Sequence, residues 1–248
     1  MQAPETFDGW FALHDFRRID WAVWNAASAA ERDKTMSEAS DLVGSFEAVE
    51  DAAEGHSTTY RIVGHKADLL MLHLRPEVPL LHDLEHRFDQ TALAGFTTRP
   101  YSYLSVVELS RHGAGTAESV EDTPYVQARL KPEIPAHDSH ICFYPMSKRR
   151  EPGENWYTLA PEERGRLMRS HGRIGRRYLD RLTQIVTGSM GLDDWEWGVT
   201  LFSDDPLQFK KVVYEMRYDE VSARFAEFGP FFVGVRLRPE DLAGYLGA

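Results

Sequence analysis

Two stretches of this chain run through the same order of elements, and that duplication limits its fold more than any single motif. In the first stretch, residues 9–16 read as a strand, and Asp20 caps a short helical stretch holding Trp21 and Trp24. A helix over about 30–49 turns Leu42, Phe46 and Val49 inward. Strands are expected at 58–63 and 69–74, a helix at about 78–93, and a strand at 101–109. The second stretch repeats the plan: a strand at 140–144, a helix at about 161–182, strands at 184–186 and 195–202, a helix at about 206–225, and a strand at 230–237.

Residues recur with the elements. Glu31, Arg32 and Met36 match Glu163, Arg164 and Met168 at one constant offset, and Gly64, Pro79 and Leu80 match Gly191, Pro206 and Leu207 at another. The expected fold class is α+β, with duplicated ferredoxin-like units forming a dimeric α+β barrel within one chain. The N-terminal half is expected at 1–112 and the C-terminal half at 139–248. Between them, 113–138 is polar and rich in Gly and Pro, and reads as a linker.

The two halves differ in chemistry. The segment from His140 to Gln184 carries ten Lys/Arg against five Asp/Glu, inside a chain whose net charge is −11. Its expected helix sets Leu167, His171, Ile174, Tyr178 and Leu182 on one seam. Such a local excess points to an anionic ligand held near an aromatic, histidine-bearing pocket. In the first half Ala39 falls opposite His171, and Ala12 or Leu13 opposite Tyr144. A site therefore belongs to the second half, with the first half as scaffold.

Composition excludes several classes. The acidic balance argues against nucleic-acid binding, and no recognition motif accompanies the arginines. No apolar run is long enough for a membrane span. The start, MQAPETFDGW, lacks the pattern of a secretory signal, and the single cysteine, Cys142, fits a reducing cytoplasm. His82 and His86 lie four apart without an HExxH context, and no phosphate-cradling glycine loop is present.

YPMSKRR at 144–150, NWY at 155–157, LMRSHGRIGR at 167–176, TGSMGLDDWEWGVTLF at 187–202 and FKKVVYEMRYDEVSARFAEFGPFFVG at 209–234 resemble the chlorite dismutase-like family. The likeness spans nearly the whole chain and is greatest to the coproheme decarboxylase branch with a glutamine-type distal site. It implies a homopentamer and hydrogen peroxide-dependent conversion of two propionates of iron-coproporphyrin III (coproheme) to vinyls, giving haem b. The iron porphyrin is then both substrate and redox cofactor, and an iron-inserting coproporphyrin chelatase is a possible partner.

The same resemblance assigns residues. His171 matches the proximal ligand of the iron, although a histidine on an apolar seam, read alone, is more often a core residue. Apart from the likeness, its other ring nitrogen should donate to a carboxylate or carbonyl, and Glu220 in the RYDEVSAR stretch is the candidate. Tyr144 matches the tyrosine that becomes a radical and takes hydrogen from a propionate. Lys148 matches the lysine that orients a propionate and shuttles charge. Arg129, Tyr144, Met146, Lys148, Arg176 and Ser222 match positions that line the porphyrin or hold its propionates. Arg164, Arg169 and Arg181 are expected to be solvated or paired on the helix surface. Gln184 matches the neutral distal residue where chlorite-decomposing members carry arginine. The alternatives are a peroxidase or chlorite dismutase of the same fold, and a haem carrier without chemistry.

Overall fold

The computed structural model describes residues 3–110 and 123–247. By packing it forms two compact units, residues 1–134 with 234–248, and residues 135–233. Part of the expected linker, including 113–122, lies outside the described residues.

In the first unit the antiparallel strands β1 (Thr6–Ile19), β2 (His56–Ile62), β3 (Leu69–Arg75) and β4 (Thr97–Ser110) lie in the order β4-β1-β3-β2. This is the ferredoxin-like arrangement. Helices α1 (Trp21–Ala26), α2 (Ala29–Glu47) and α3 (Val78–Asp89) connect them. Caps fix where the first two begin: Asp20 accepts from the N–H groups of Ala22 and Val23, and Ser28 accepts from Glu31. The core gathers Leu13, Trp24, Val43, Phe46, Met71 and Leu84.

The buried arginines and aspartate of this unit are paired. Arg75, fully buried, donates to both carboxylate oxygens of Asp51 at 2.7 and 2.8 Å, and Arg17 bridges Asp15 and Asp89. Strand β11 (Phe232–Arg236) spans the division, and its last three residues pair with β2. A final helix, α8 (Pro239–Gly247), was not expected. It packs on α2 and sends Leu242 and Leu246 into the core, where the Trp24 indole N–H donates to the Leu246 carbonyl at 2.8 Å.

The second unit repeats the plan. Strand β5 (His140–Lys148) pairs with β9 (Trp197–Ser203), which pairs with β8 (Thr183–Gly188). Helices α5 (Pro161–Arg176) and α6 (Leu207–Met216) supply apolar side chains to one face of this sheet. Helices α2 and α5 begin 132 residues apart, matching the offset of the Glu-Arg repeat. Ala39 is buried in the first core at the position corresponding to His171.

Three further elements depart from expectation. The helix expected over 206–225 is broken into α6 and α7 (Glu220–Phe225), because Asp219 adopts an extended backbone between them. The helix expected to reach Leu182 ends at Arg176, just past Gly172 and Gly175, whose freedom in the unfolded chain weakens a helix. The expected linker contains α4 (Pro124–Leu130), with Thr123 as its cap and Pro124 at its first position. A hairpin of β6 (Arg150–Glu151) and β7 (Glu154–Asn155), and the short strand β10 (Ala226–Phe228) beside the end of β5, complete the unit. No helix among the described residues is long and apolar enough to cross a membrane.

Gly9 lies against the end of α4, where any side chain would collide with the Leu130 carbonyl. Gly9→Ala is expected to cost about 1–3 kcal/mol through forced backbone shifts. A lowered unfolding midpoint in urea with an unchanged slope would register that loss.

Candidate functional site

Strand β5 supplies one wall of the site. Its alternation puts Cys142, Tyr144 and Met146 on the helix-covered face. Register extends that face across the sheet, because cross-strand neighbours point to the same side. Cys142 pairs with Leu201 and Leu201 with Gln184, while Tyr144 pairs with Val199 and Val199 with Val186. Leu201 and Val199 are buried, yet Gln184 and Val186 on β8 are exposed. The face is thus covered at its centre and open at β8.

Tyr144 sits in this wall at 8% exposure. Its ring stacks on Phe231 at 4.4 Å and tilts against Phe228 at 5.7 Å. Burial, aided by Cys142, pushes the phenol well above its ordinary pKa, with Arg217 acting in the other direction. The phenol is therefore protonated at neutral pH, and its hydroxyl has no hydrogen-bond partner among the described residues. Phe231 also lines a cavity of about 430 Å³, with Cys142, Phe209, Val213, Arg217 and Val233. That volume falls in the usual range for ligand pockets, but Tyr144, Lys148, His171 and Gln184 do not line it.

His171 comes from α5. Its Nδ1 lies 2.8 Å from Oδ2 of Asp219, whose side chain is 2% exposed, against 28% for the imidazole. A carboxylate acceptor assigns the Nδ1 proton and leaves Nε2 with a lone pair for a metal. Asp219 corrects the expected partner, Glu220. The Glu220 carboxylate is taken by Arg166 at 3.1 Å and Arg224 at 2.9 Å. Asp219 stands where α6 breaks from α7 and makes no side-chain cap bond to the helix that follows. Its carboxylate goes to the histidine instead.

Lys148 closes β5. It is 9% exposed, and its ammonium lies 5.0 Å from the centre of the Trp156 ring. No ion-pair partner is within 4 Å among the described residues. Burial lowers its pKa to about 8, with Asp219 and Glu196 pulling the other way. A largely buried amine with no carboxylate in contact is costly unless an anion arrives. Ser222, in the first turn of α7, is also buried.

The remaining residues separate. Met146 packs half-buried beside Tyr144. Arg176 is exposed and lies back over Gly172 without an ion pair among the described residues. Arg129 is exposed on α4, in the first unit, 5.7 Å from the Tyr125 ring centre. Arg181 pairs with Asp180 at 3.2 Å, whereas Arg164 and Arg169 have no ion pair among the described residues. Sequence reasoning missed Arg217, whose guanidinium lies 3.8 Å over Phe228, and Glu196, buried beside Lys148. Its position at the end of a helix beside a cavity could have flagged Arg217. For Glu196, a lone carboxylate between two tryptophans was the only signal.

The family model for chlorite dismutase matches residues 32–237. The chain belongs to the chlorite dismutase family. It is 49% identical over 246 residues to a coproheme decarboxylase of Thermus thermophilus, covering 99% of this chain and 97% of that protein. A solved structure of a heme-binding protein from Thermus thermophilus matches with a TM-score of 0.92 at 47% identity, covering all of both chains. A chlorite dismutase variant of Candidatus Nitrospira defluvii matches with a TM-score of 0.78 at 18% identity, over 97% of this chain and 96% of that one, which speaks to fold alone.

The Lys148 pKa has a sign that can be tested. Between about pH 8 and 10.5 the folded amine has released its proton while the unfolded chain still binds one, so this group's contribution to stability rises with pH. The ligand-free Lys148→Met variant should melt above the parent protein at pH 7, with the gap narrowing as pH rises from 8 to 10. Differential scanning calorimetry across that range measures it.

Proposed function

We propose that the chain is a coproheme decarboxylase, a peroxide-dependent oxidoreductase of haem biosynthesis. One observation carries the reading furthest: on a single strand, a phenol and an amine four residues on, at the tips of two largely buried side chains, both lack a hydrogen-bond or ion-pair partner among the described residues. A structural strand gains nothing from leaving both unpaired. A ligand with several carboxylates would satisfy them.

The residues present fit an iron porphyrin. His171 would hold the iron through Nε2, with Asp219 fixing the ring and raising its basicity. The aromatic and aliphatic wall around Tyr144 suits a flat macrocycle, and Lys148, Arg129, Arg176, Ser222 and Tyr144 would hold propionates. Each charge-assisted bond is worth about 1.5–3 kcal/mol. Met146 would line the porphyrin. Gln184, neutral and exposed on β8, supplies no cation to retain chlorite, which weighs against the chlorite-decomposing alternative.

With hydrogen peroxide, the bound iron porphyrin supplies the oxidant. Tyr144 gives up an electron and its phenolic proton, and its oxygen then takes a hydrogen atom from the propionate carbon next to the ring. Loss of carbon dioxide and one further electron leaves a vinyl group. Lys148 holds the reacting carboxylate and passes protons between it and the site. Two rounds convert coproheme to haem b. The family likeness further supports a cytoplasmic homo-oligomer, pentameric by that likeness, with the N-terminal half as scaffold and an iron-inserting chelatase as the upstream partner. A carrier without chemistry would account for His171 but not for the Tyr144–Lys148 pair.

Titrating the coproheme-loaded protein with peroxide and weighing the porphyrin should show two successive losses of carbon dioxide. Tyr144→Phe should bind coproheme about as well and lose none; bleaching without mass loss in the parent protein would defeat the reading. Asp219→Asn, by loosening His171, should weaken retention of the iron porphyrin about 10–100-fold, read as transfer to apomyoglobin.

A further inference from the structure

On the reading that Lys148 holds a propionate, something must fix its backbone and keep its amine charged while buried. We propose that Glu196 is a positioning residue: it fixes Lys148 at the end of β5 and holds its amine in the protonated form.

The geometry is specific. The ladder between β5 and β9 ends at the Met146–Trp197 pair. Beyond it, the N–H of Lys148 would face a buried space with no strand to receive it. Oε2 of Glu196 takes that N–H at 2.6 Å, so a side chain supplies the next rung. The backbone N–H of Glu196 is shared between the Met146 carbonyl at 3.2 Å and the Ser147 hydroxyl at 3.3 Å. Its carbonyl accepts from Ser189 at 2.9 Å. One residue therefore grips three successive residues of the strand that carries Tyr144.

Asp219 and Glu196 are the two carboxylates that act on the Lys148 amine, Asp219 the more strongly. Glu196 is buried, its nearest cationic side chain is the exposed Arg150 at 3.9 Å, and the phenol of Tyr157 lies beside it. Around the Lys148 amine, the segment before β9 offers Glu196, the segment before α7 offers Asp219, the turn after β7 offers Trp156 and Tyr157, and β10 pairs through uncharged Ala226. Asp219 already accepts from His171.

The test replaces charge but keeps shape. Glu196→Gln retains an oxygen for the Lys148 N–H and removes the negative charge. Competitive acetylation of the ligand-free protein with acetic anhydride, followed by peptide mass spectrometry, reads the protonation of Lys148 across pH 6–10. The variant's curve should move toward acid by about one pH unit. In parallel, absorbance titration with coproheme, without peroxide, should show the alkaline loss of binding moving the same way. Lys148→Met should abolish that alkaline dependence, and the double variant should behave as Lys148→Met alone. An unmoved acetylation curve in Glu196→Gln would overturn the assignment whatever coproheme does. If the parent protein bound no coproheme, the decarboxylase reading would fail, and the acetylation curve would still decide the role of Glu196.

Discussion

The hydrogen bond between His171 and Asp219 is the constraint around which the second unit is arranged. It joins the middle of α5 to the break between α6 and α7, and the break exists at the residue that makes the bond. An aspartate at the start of a helix ordinarily caps it. Here the carboxylate is withdrawn from that use and aimed at an imidazole, so α7 begins without a side-chain cap. Part of the lost stabilisation is recovered around it: Arg166 and Arg224 both hold Glu220, and Arg224 also reaches Glu154 of the hairpin. These exposed pairs are individually weak, but together they tie α5, α7 and the hairpin into one surface.

The two units show how the same plan serves opposite purposes. In the first, buried charges find each other, as in Arg75 with Asp51 and Arg17 with Asp15 and Asp89. The result is a closed core. In the second, the polar tips of the largely buried Tyr144 and Lys148 have no such partners among the described residues, and Lys210 and Arg217 line an apolar cavity. Unsatisfied polar groups are a liability in a scaffold and a resource in a site, since a ligand that meets them gains what the fold gave up.

Much of this was legible in the sequence because it rests on periodicity and composition. The strand and helix order, the repeat linking Glu31 to Glu163, and the concentration of arginine on α5 all follow from local pattern. The face shared by Tyr144 and Met146 follows from alternation along a strand. What was not legible depends on tertiary competition. Nothing local distinguishes Asp219 from Glu220 as the partner of His171; Arg166 and Arg224 decide it by claiming the latter. Periodicity alone carried one helix through 206–225, because the reason for its interruption lies on α5. The helix α8 had its own signals, Pro239 followed by Glu240 and Asp241, but it falls after the repeated plan is complete. Glu196 became visible only when register placed it beside the end of β5.

The central claim is that the unpaired groups of the second unit are arranged for the carboxylates of one iron porphyrin. A crystal structure of the protein with coproheme, grown without peroxide, tests it most directly. His171 Nε2 should lie on the iron, with separate propionates within hydrogen-bonding distance of the Tyr144 hydroxyl and the Lys148 ammonium. A porphyrin bound away from His171, or one whose propionates leave both groups unpaired, would contradict it.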